Sequence, residues 1–117
     1  MLWAAEGRLG SVAREAIEEA ADAVFVSAAT IWEIEIKRAL ARLRVPQDPI
    51  GMVDRSGFER LVVTFEHARE AARLPPLHGD PFDRMLIAQA RLEAMTLATA
   101  DEQIRRYDVS VLDVTRG

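Results

Sequence analysis

Short, unbroken apolar runs alternate with segments of helical spacing along most of this chain, and that alternation narrows its fold more than any other feature. Ala23-Val24-Phe25-Val26 is the first run, Leu61-Val62-Val63-Thr64 the second and Met95-Thr96-Leu97-Ala98-Thr99 the third, with Val109 to Val114 as a last, edge-like one. A short strand that is apolar on both sides must be covered on both sides, the situation of strands in a parallel sheet flanked by helices. Parallel neighbours also need a crossover, and helical segments lie between these runs.

The helical segments carry their own punctuation. Ser11 to Ala21 reads as a helix with Ser11 as N-cap and Val12, Ala16, Ile17 and Ala20 at helical spacing. Ser27 opens a second helix running to about Leu43. Its Trp32, Ile36, Leu40 and Leu43 make one stripe while Ile31 and Ile34 point elsewhere, which predicts burial against the sheet plus a second contact. Pro46 and Pro49 make 44–49 a loop, and Ile50 to Ser56 is a short amphipathic helix stopped by Gly57. Glu66 to Arg73 is the next helix, Leu74 to Asp80 a break, and Pro81 the first position of a helix that ends near Glu93. A short helix starts at Asp101. The expectation is one α/β domain over 1–117, three-layered, with a mainly parallel sheet and right-handed crossovers.

Composition bears on what such a domain does. No apolar run approaches the roughly eighteen residues needed to span a bilayer, and no charged-then-apolar leader is present, so a cytoplasmic protein without a membrane role is expected. The absence of cysteine excludes disulfides, thiolate metal sites and thiol nucleophiles. A net charge of −4 argues against a protein held on nucleic acid by its overall field. It leaves room for an enzyme in which acids gather around a divalent cation and the cation meets the phosphate.

Ligands of parallel sheets bind beyond the carboxyl ends of the strands. Three acids fall at such places or at helix starts. Glu33 is in the helix after the first run, Asp83 in the first turn after Pro81, and Asp101 directly after the third run, with Thr99 two residues before it. Converging at one sheet edge, they would suit Mg²⁺ or Mn²⁺, which take oxygen ligands together with water and phosphate. A plainer reading stands beside this one. Acids in a first turn complement the helix dipole, and Lys37 four residues after Glu33 makes an ordinary solvated pair. Lys37, Arg38, Arg42 and Arg44 form a basic run that could meet RNA phosphates, an acidic partner or only water. His67 and His78 have no ligand neighbour at metal spacing, so a surface or loop role is expected of them.

The local strings narrow the choice. Val26-Ser27-Ala28-Ala29-Thr30-Ile31-Trp32-Glu33-Ile34 resembles the strand-to-helix segment of PIN domains of the VapC toxin type, where a metal-binding Glu follows the helix start. His78-Gly79-Asp80-Pro81-Phe82-Asp83-Arg84-Met85-Leu86-Ile87-Ala88-Gln89-Ala90 is similar to that family's DPFDR signature, and Leu97-Ala98-Thr99-Ala100-Asp101 to its closing T-x-D segment. The resemblance implies a compact PIN-like α/β/α fold and a metal-dependent ribonuclease. Glu33, Asp83 and Asp101 would be its catalytic and metal-binding acids, with Mg²⁺ or Mn²⁺ as cofactor and Ser27 and Thr99 as accessory polar groups. Lys37, Arg38, Arg42 and Arg84 would then touch RNA or a partner. Relatives are usually toxins of type II toxin–antitoxin pairs, dimeric and silenced by a VapB-like antitoxin.

The resemblance breaks at the N-terminus. The family opens with an apolar strand ending in Asp, followed by a turn and a helix containing Leu-Trp. Met1-Leu2-Trp3 matches that Leu-Trp, which predicts a chain that starts inside the first helix and lacks the central strand and its Asp. Glu6 is no substitute. Two outcomes follow from this: a nuclease of impaired activity, or a decayed domain that still dimerises or captures an antitoxin.

Overall fold

A computed structural model of the chain describes residues 1–3, 23–40, 48–77, 79–99, 107, 109 and 111–113. The described elements are β1 (Leu2–Trp3), β2 (Phe25–Ser27), α1 (Ala28–Ala39), α2 (Pro49–Arg55), β3 (Glu59–Leu61), α3 (Phe65–Arg73), α4 (Pro81–Leu92), β4 (Leu97–Thr99) and β5 (Val111–Asp113). The strands form one sheet in the order β3-β2-β1-β4-β5, and every pairing is parallel. The expected helix at Ser11–Ala21, the loop at 44–47 and the short helix from Asp101 lie outside the described residues.

The helix starts follow the sequence signals. Ser27 caps α1, its Oγ accepting from the Ala29 N–H at 3.0 Å. Asp80 caps α4 by accepting from the N–H groups of Phe82 (2.8 Å) and Asp83 (3.1 Å), and Pro81 fills the first position, where no N–H is needed. Gly57, with φ 73°, lies just beyond α2 in the left-handed region that glycine enters freely. Ala94 does the same job after α4 with φ 53°, although it carries a Cβ. The Met95 N–H returns to the Ala90 carbonyl at 2.8 Å, closing the helix end.

Two expectations are corrected. Met1-Leu2-Trp3 does not sit within a helix: Leu2–Trp3 is a strand, and it occupies the central place that was expected to be vacant. Leu2 pairs with Phe25 on one side and Leu97 on the other. The Leu2 N–H donates to the Thr96 carbonyl at 2.9 Å, the Phe25 N–H to the Met1 carbonyl at 2.7 Å, and the Met1 ammonium to the Ala23 carbonyl at 3.0 Å. The physical reason is the cost of leaving the backbones of β2 and β4 unpaired in the interior, which two residues of strand suffice to meet. Leu2 is fully buried and joins Leu86, Ile87 and Leu97 in the core.

The second correction concerns the run Leu61–Thr64. The strand lies earlier, at Glu59–Leu61, where it is the sheet edge opposite β5, and Val62 and Val63 are exposed. An edge strand tolerates the charged Glu59 and Arg60 because one side of it meets solvent.

Candidate active site

Helix α1 buries polar and apolar residues on one face. Its buried residues are Ala29, Thr30, Glu33 and Ile34, whereas Trp32 is 64% and Leu40 57% exposed. Of the expected stripe, Trp32 and Leu40 therefore face outward, Ile36 is half-buried and Leu43 lies outside the described residues, while two polar side chains face inward beside Ile34. Buried polar groups and exposed aromatic ones are the informative exceptions in a folded chain, since both raise its free energy unless a ligand or partner offsets them.

Asp83 is buried as deeply, at 2% exposure, in the first turn of α4. Helices α1 and α4 pack on each other. The sequence neighbours of the two acids touch: the rings of Trp32 and Phe82 meet edge-on with centroids 5.2 Å apart. The first turns of the two helices also line one groove of about 470 Å³, walled by Ala28, Trp32, Val63, Pro81, Phe82 and Met85. Sequence reasoning named both acids; it did not foresee the apolar groove between their helices, because Val63 and Phe82 come together only in the fold.

Glu33 does form the pair with Lys37 that its spacing suggests, at 3.4 Å. Yet the carboxylate is only 8% exposed, so this is not a solvated surface pair. Arg38 pairs with Glu35 at 3.5 Å along the same helix. Ser27 is fully buried, with its hydroxyl engaged as the cap of α1. Thr30, three residues before Glu33 on the same helix, is 1% exposed, and its Oγ1 has no hydrogen-bond partner among the described residues. Thr99 closes β4, while Asp101 and Arg42 lie outside the described residues.

Arg84, expected to touch RNA or a partner, makes several bonds within the fold. Its guanidinium donates to the carbonyls of Ala71 (2.9 Å), Leu74 (2.9 Å) and Pro75 (3.1 Å), and to the Tyr107 hydroxyl at 3.4 Å. A fork of five donors suits the end of α3, where carbonyls lack helical partners and a positive charge is favoured. His67 departs from its expected surface or loop role. It is 1% exposed, and its Nδ1 accepts from the Thr64 N–H at 3.1 Å, completing the capping box of α3. Its Nε2 then carries the proton and donates to Glu93 Oε1 at 2.8 Å. The Thr64-x-x-His67 spacing was the available signal, since a histidine can stand where Glu or Gln usually completes the box.

The donor set fits a hard cation. Two buried carboxylates on packed helices and an orphaned buried hydroxyl offer oxygen alone, which suits Mg²⁺ or Mn²⁺ and not a soft metal. Among the described residues no three His, Asp or Glu side chains gather into a ready metal cluster. Nor is any described helix long and apolar enough to cross a membrane.

A parallel sheet whose helices hold carboxylates in the interior defines an α/β domain built around an acidic site. The model of the PIN domain family matches residues 1–110, and the chain belongs to that family. PIN domains are generally nucleases and generally use divalent metal ions. Among solved structures, a toxin–antitoxin complex from Klebsiella pneumoniae is similar over 90% of this chain and 85% of its own, with TM-score 0.65 and 16% identity. FitAcB from Neisseria gonorrhoeae is similar over 98% of this chain and 99% of its own, with TM-score 0.65 and 16% identity. FitAB bound to an IR36 DNA fragment is similar over 97% and 94%, with TM-score 0.63 and 17% identity. At these identities the likeness is one of fold. No curated protein sequence matches the chain.

Proposed function

We propose that this PIN domain is a metal-dependent endoribonuclease and the toxin of a type II toxin–antitoxin pair. The observation that carries the reading is the burial of Glu33 and Asp83 on two packed helices whose first turns line one groove. Oxygen donors held in that way, with Thr30 Oγ1 left over, are ones that a bound cation would satisfy. Glu33, Asp83 and Asp101 would hold Mg²⁺ or Mn²⁺, with Ser27 and Thr99 as polar neighbours. When bound, the ion supplies an activated water and charge stabilisation for hydrolysis of an RNA phosphodiester bond.

The chain's own residues supply placement. Asp80 fixes the backbone of Asp83 through its N–H, Ser27 fixes the start of α1, and the Lys37 ammonium partly balances Glu33. Lys37, Arg38 and Arg42 are the cations proposed to meet RNA or a partner. The exposed groove beside the acids suits a segment of an antitoxin, the kind of partner present in the similar Klebsiella complex. We read the protein as a cytoplasmic homodimer in its working form.

A second reading has one observation in its favour. In sequence, β1 is followed by Ala4-Ala5, where the family pattern has its first Asp. A domain short of one acid would still present its groove, and would then act as an antitoxin-binding or dimerisation module. Cleavage of a structured RNA in Mg²⁺, Mn²⁺ or EDTA, beside Asp83→Asn, separates the two. Metal-dependent cutting that the variant lacks establishes the nuclease; a folded chain that binds its antitoxin and never cuts establishes the module.

A further inference from the structure

Two residues that the acidic site does not use are tied directly to it. Tyr107 is 5% exposed and lies between β4 and β5. Its hydroxyl donates to the Pro75 carbonyl at 2.8 Å and accepts from the Leu77 N–H at 3.1 Å. Arg84 reaches the same hydroxyl at 3.4 Å and the Pro75 carbonyl at 3.1 Å. The turn 74–77, which leads into the cap of α4, is therefore gripped from both sides by side chains distant in sequence.

Arg84 is the residue next to Asp83. Its backbone N–H donates to the Asp80 carbonyl at 3.0 Å, so it shares the first turn of α4 with that acid. Through its guanidinium this turn is bolted to the end of α3, and through Tyr107 to the connection that follows β4. A guanidinium spanning three carbonyls allows little rotation, because each N–H direction is fixed by the planar fork. Any slip of α4 along its axis would break all of these bonds together.

We propose that Arg84 and Tyr107 are positioning residues for Asp83, a clamp that fixes the first turn of α4 against the 74–77 turn and against the β4–β5 connection. The inference rests on the nuclease reading. Its physical content is that a carboxylate must stand within a fraction of an ångström of its working place, and that misplacement by about 1 Å can lower a rate on the order of a hundredfold. A residue whose only role is stability lowers the melting temperature and leaves the rate of the folded enzyme alone.

The test compares four chains: wild type, Asp83→Asn, Tyr107→Phe and Val53→Ala. Tyr107→Phe removes one hydroxyl and keeps the ring in the core, so it folds where an Arg84 variant could fail. Val53, buried in α2 away from the groove, serves as a control for plain destabilisation. The readouts are kcat and KM on RNA, Mn²⁺ affinity from the loss of the free-ion electron paramagnetic resonance signal, and melting temperature. The clamp predicts that Tyr107→Phe loses about ten- to a hundredfold in kcat with little change in KM, and binds Mn²⁺ more weakly. Val53→Ala should melt at least as early and keep its kcat. Tyr107→Phe with wild-type kcat and Mn²⁺ affinity, where Asp83→Asn has lost both, overturns the clamp and spares the nuclease. A wild type that neither cuts nor binds Mn²⁺ overturns both.

Discussion

Replacing Asp83 by Asn should move stability in opposite directions with and without metal. Asp83 is 2% exposed, and burying a carboxylate costs several kcal/mol even after the protein relaxes. Its place in the first turn of α4 returns about 0.3–1 kcal/mol, and up to about 2 when partly buried. An amide of the same shape removes the charge, keeps one acceptor and retains the Asp80 bond to its backbone N–H. In EDTA the variant should therefore be more stable than wild type by about 1–2 kcal/mol, a rise of roughly 4–8 °C in Tm for a chain of this size. Metal reverses the order. A cation at 100 times its dissociation constant adds about 2.7 kcal/mol to a wild type that binds it and almost nothing to a variant that does not. Thermal melts in EDTA and in saturating Mg²⁺, read beside RNA cleavage, give all four values. If Asp83→Asn melts earlier in EDTA and gains as much from Mg²⁺ as wild type, Asp83 is an ordinary helix-start charge and the metal argument fails.

Four further outcomes can be checked on the same material. His67→Ala should cost about 2–4 kcal/mol in urea unfolding, because it removes the side-chain half of the capping box of α3 and leaves the Gln89 amide facing a void. Ala94→Gly should stabilise by about 0.5–1 kcal/mol, since φ 53° strains a side chain that glycine lacks; an unchanged urea midpoint would contradict this. The side-chain hydrogen bonds from Arg60 hold the Asp54 carboxyl below its ordinary pKa against a smaller opposing effect of desolvation, with the charges of Arg60 and Arg55 assisting. The stabilisation it gives is therefore present above the ordinary carboxyl value and disappears as pH falls through the lowered one. Asp54→Asn should trail wild type at pH 7 and match it in strong acid, and the gap should shrink in 1 M salt, because the pair is fully exposed. Trp32→Ala should change folding stability by about 1 kcal/mol, the scale of its edge contact with Phe82, yet weaken antitoxin binding by more than about 2 kcal/mol in calorimetry.

Local punctuation was readable and long-range pairing was not. Ser27, Asp80-Pro81 and Gly57 act on groups within three residues of themselves, so the starts of α1 and α4 and the stop of α2 could be placed from the string alone. Leu2–Trp3 carries no period at all; two residues become a strand because β2 and β4 need a partner between them. Arg84 shows only a positive charge in sequence, and the carbonyls that employ it lie nine to thirteen residues earlier. The identities of Glu33 and Asp83 were legible through the family strings, whereas their burial was not. Glu33 has Lys37 at the spacing of a surface pair, and that its carboxylate is out of solvent appears only in the fold.

Helix α1 ties the acids to the groove. The buried face of α1 carries Ala29 and Ile34 together with Thr30 and Glu33, so the rotation that buries these apolar groups also takes a carboxylate away from water. With Glu33 and Ile34 turned in, Trp32 on the other side of Glu33 is turned out, since successive residues stand about 100° apart. Trp32 then meets Phe82, which is itself the neighbour of Asp83, and the two rings wall the groove beside both acids. One rotation of one helix thus produces a buried carboxylate and an exposed aromatic surface together. A partner drawn to those rings would lie beside the acids, so under the proposed function the metal site and the antitoxin surface would both follow from the same packing choice.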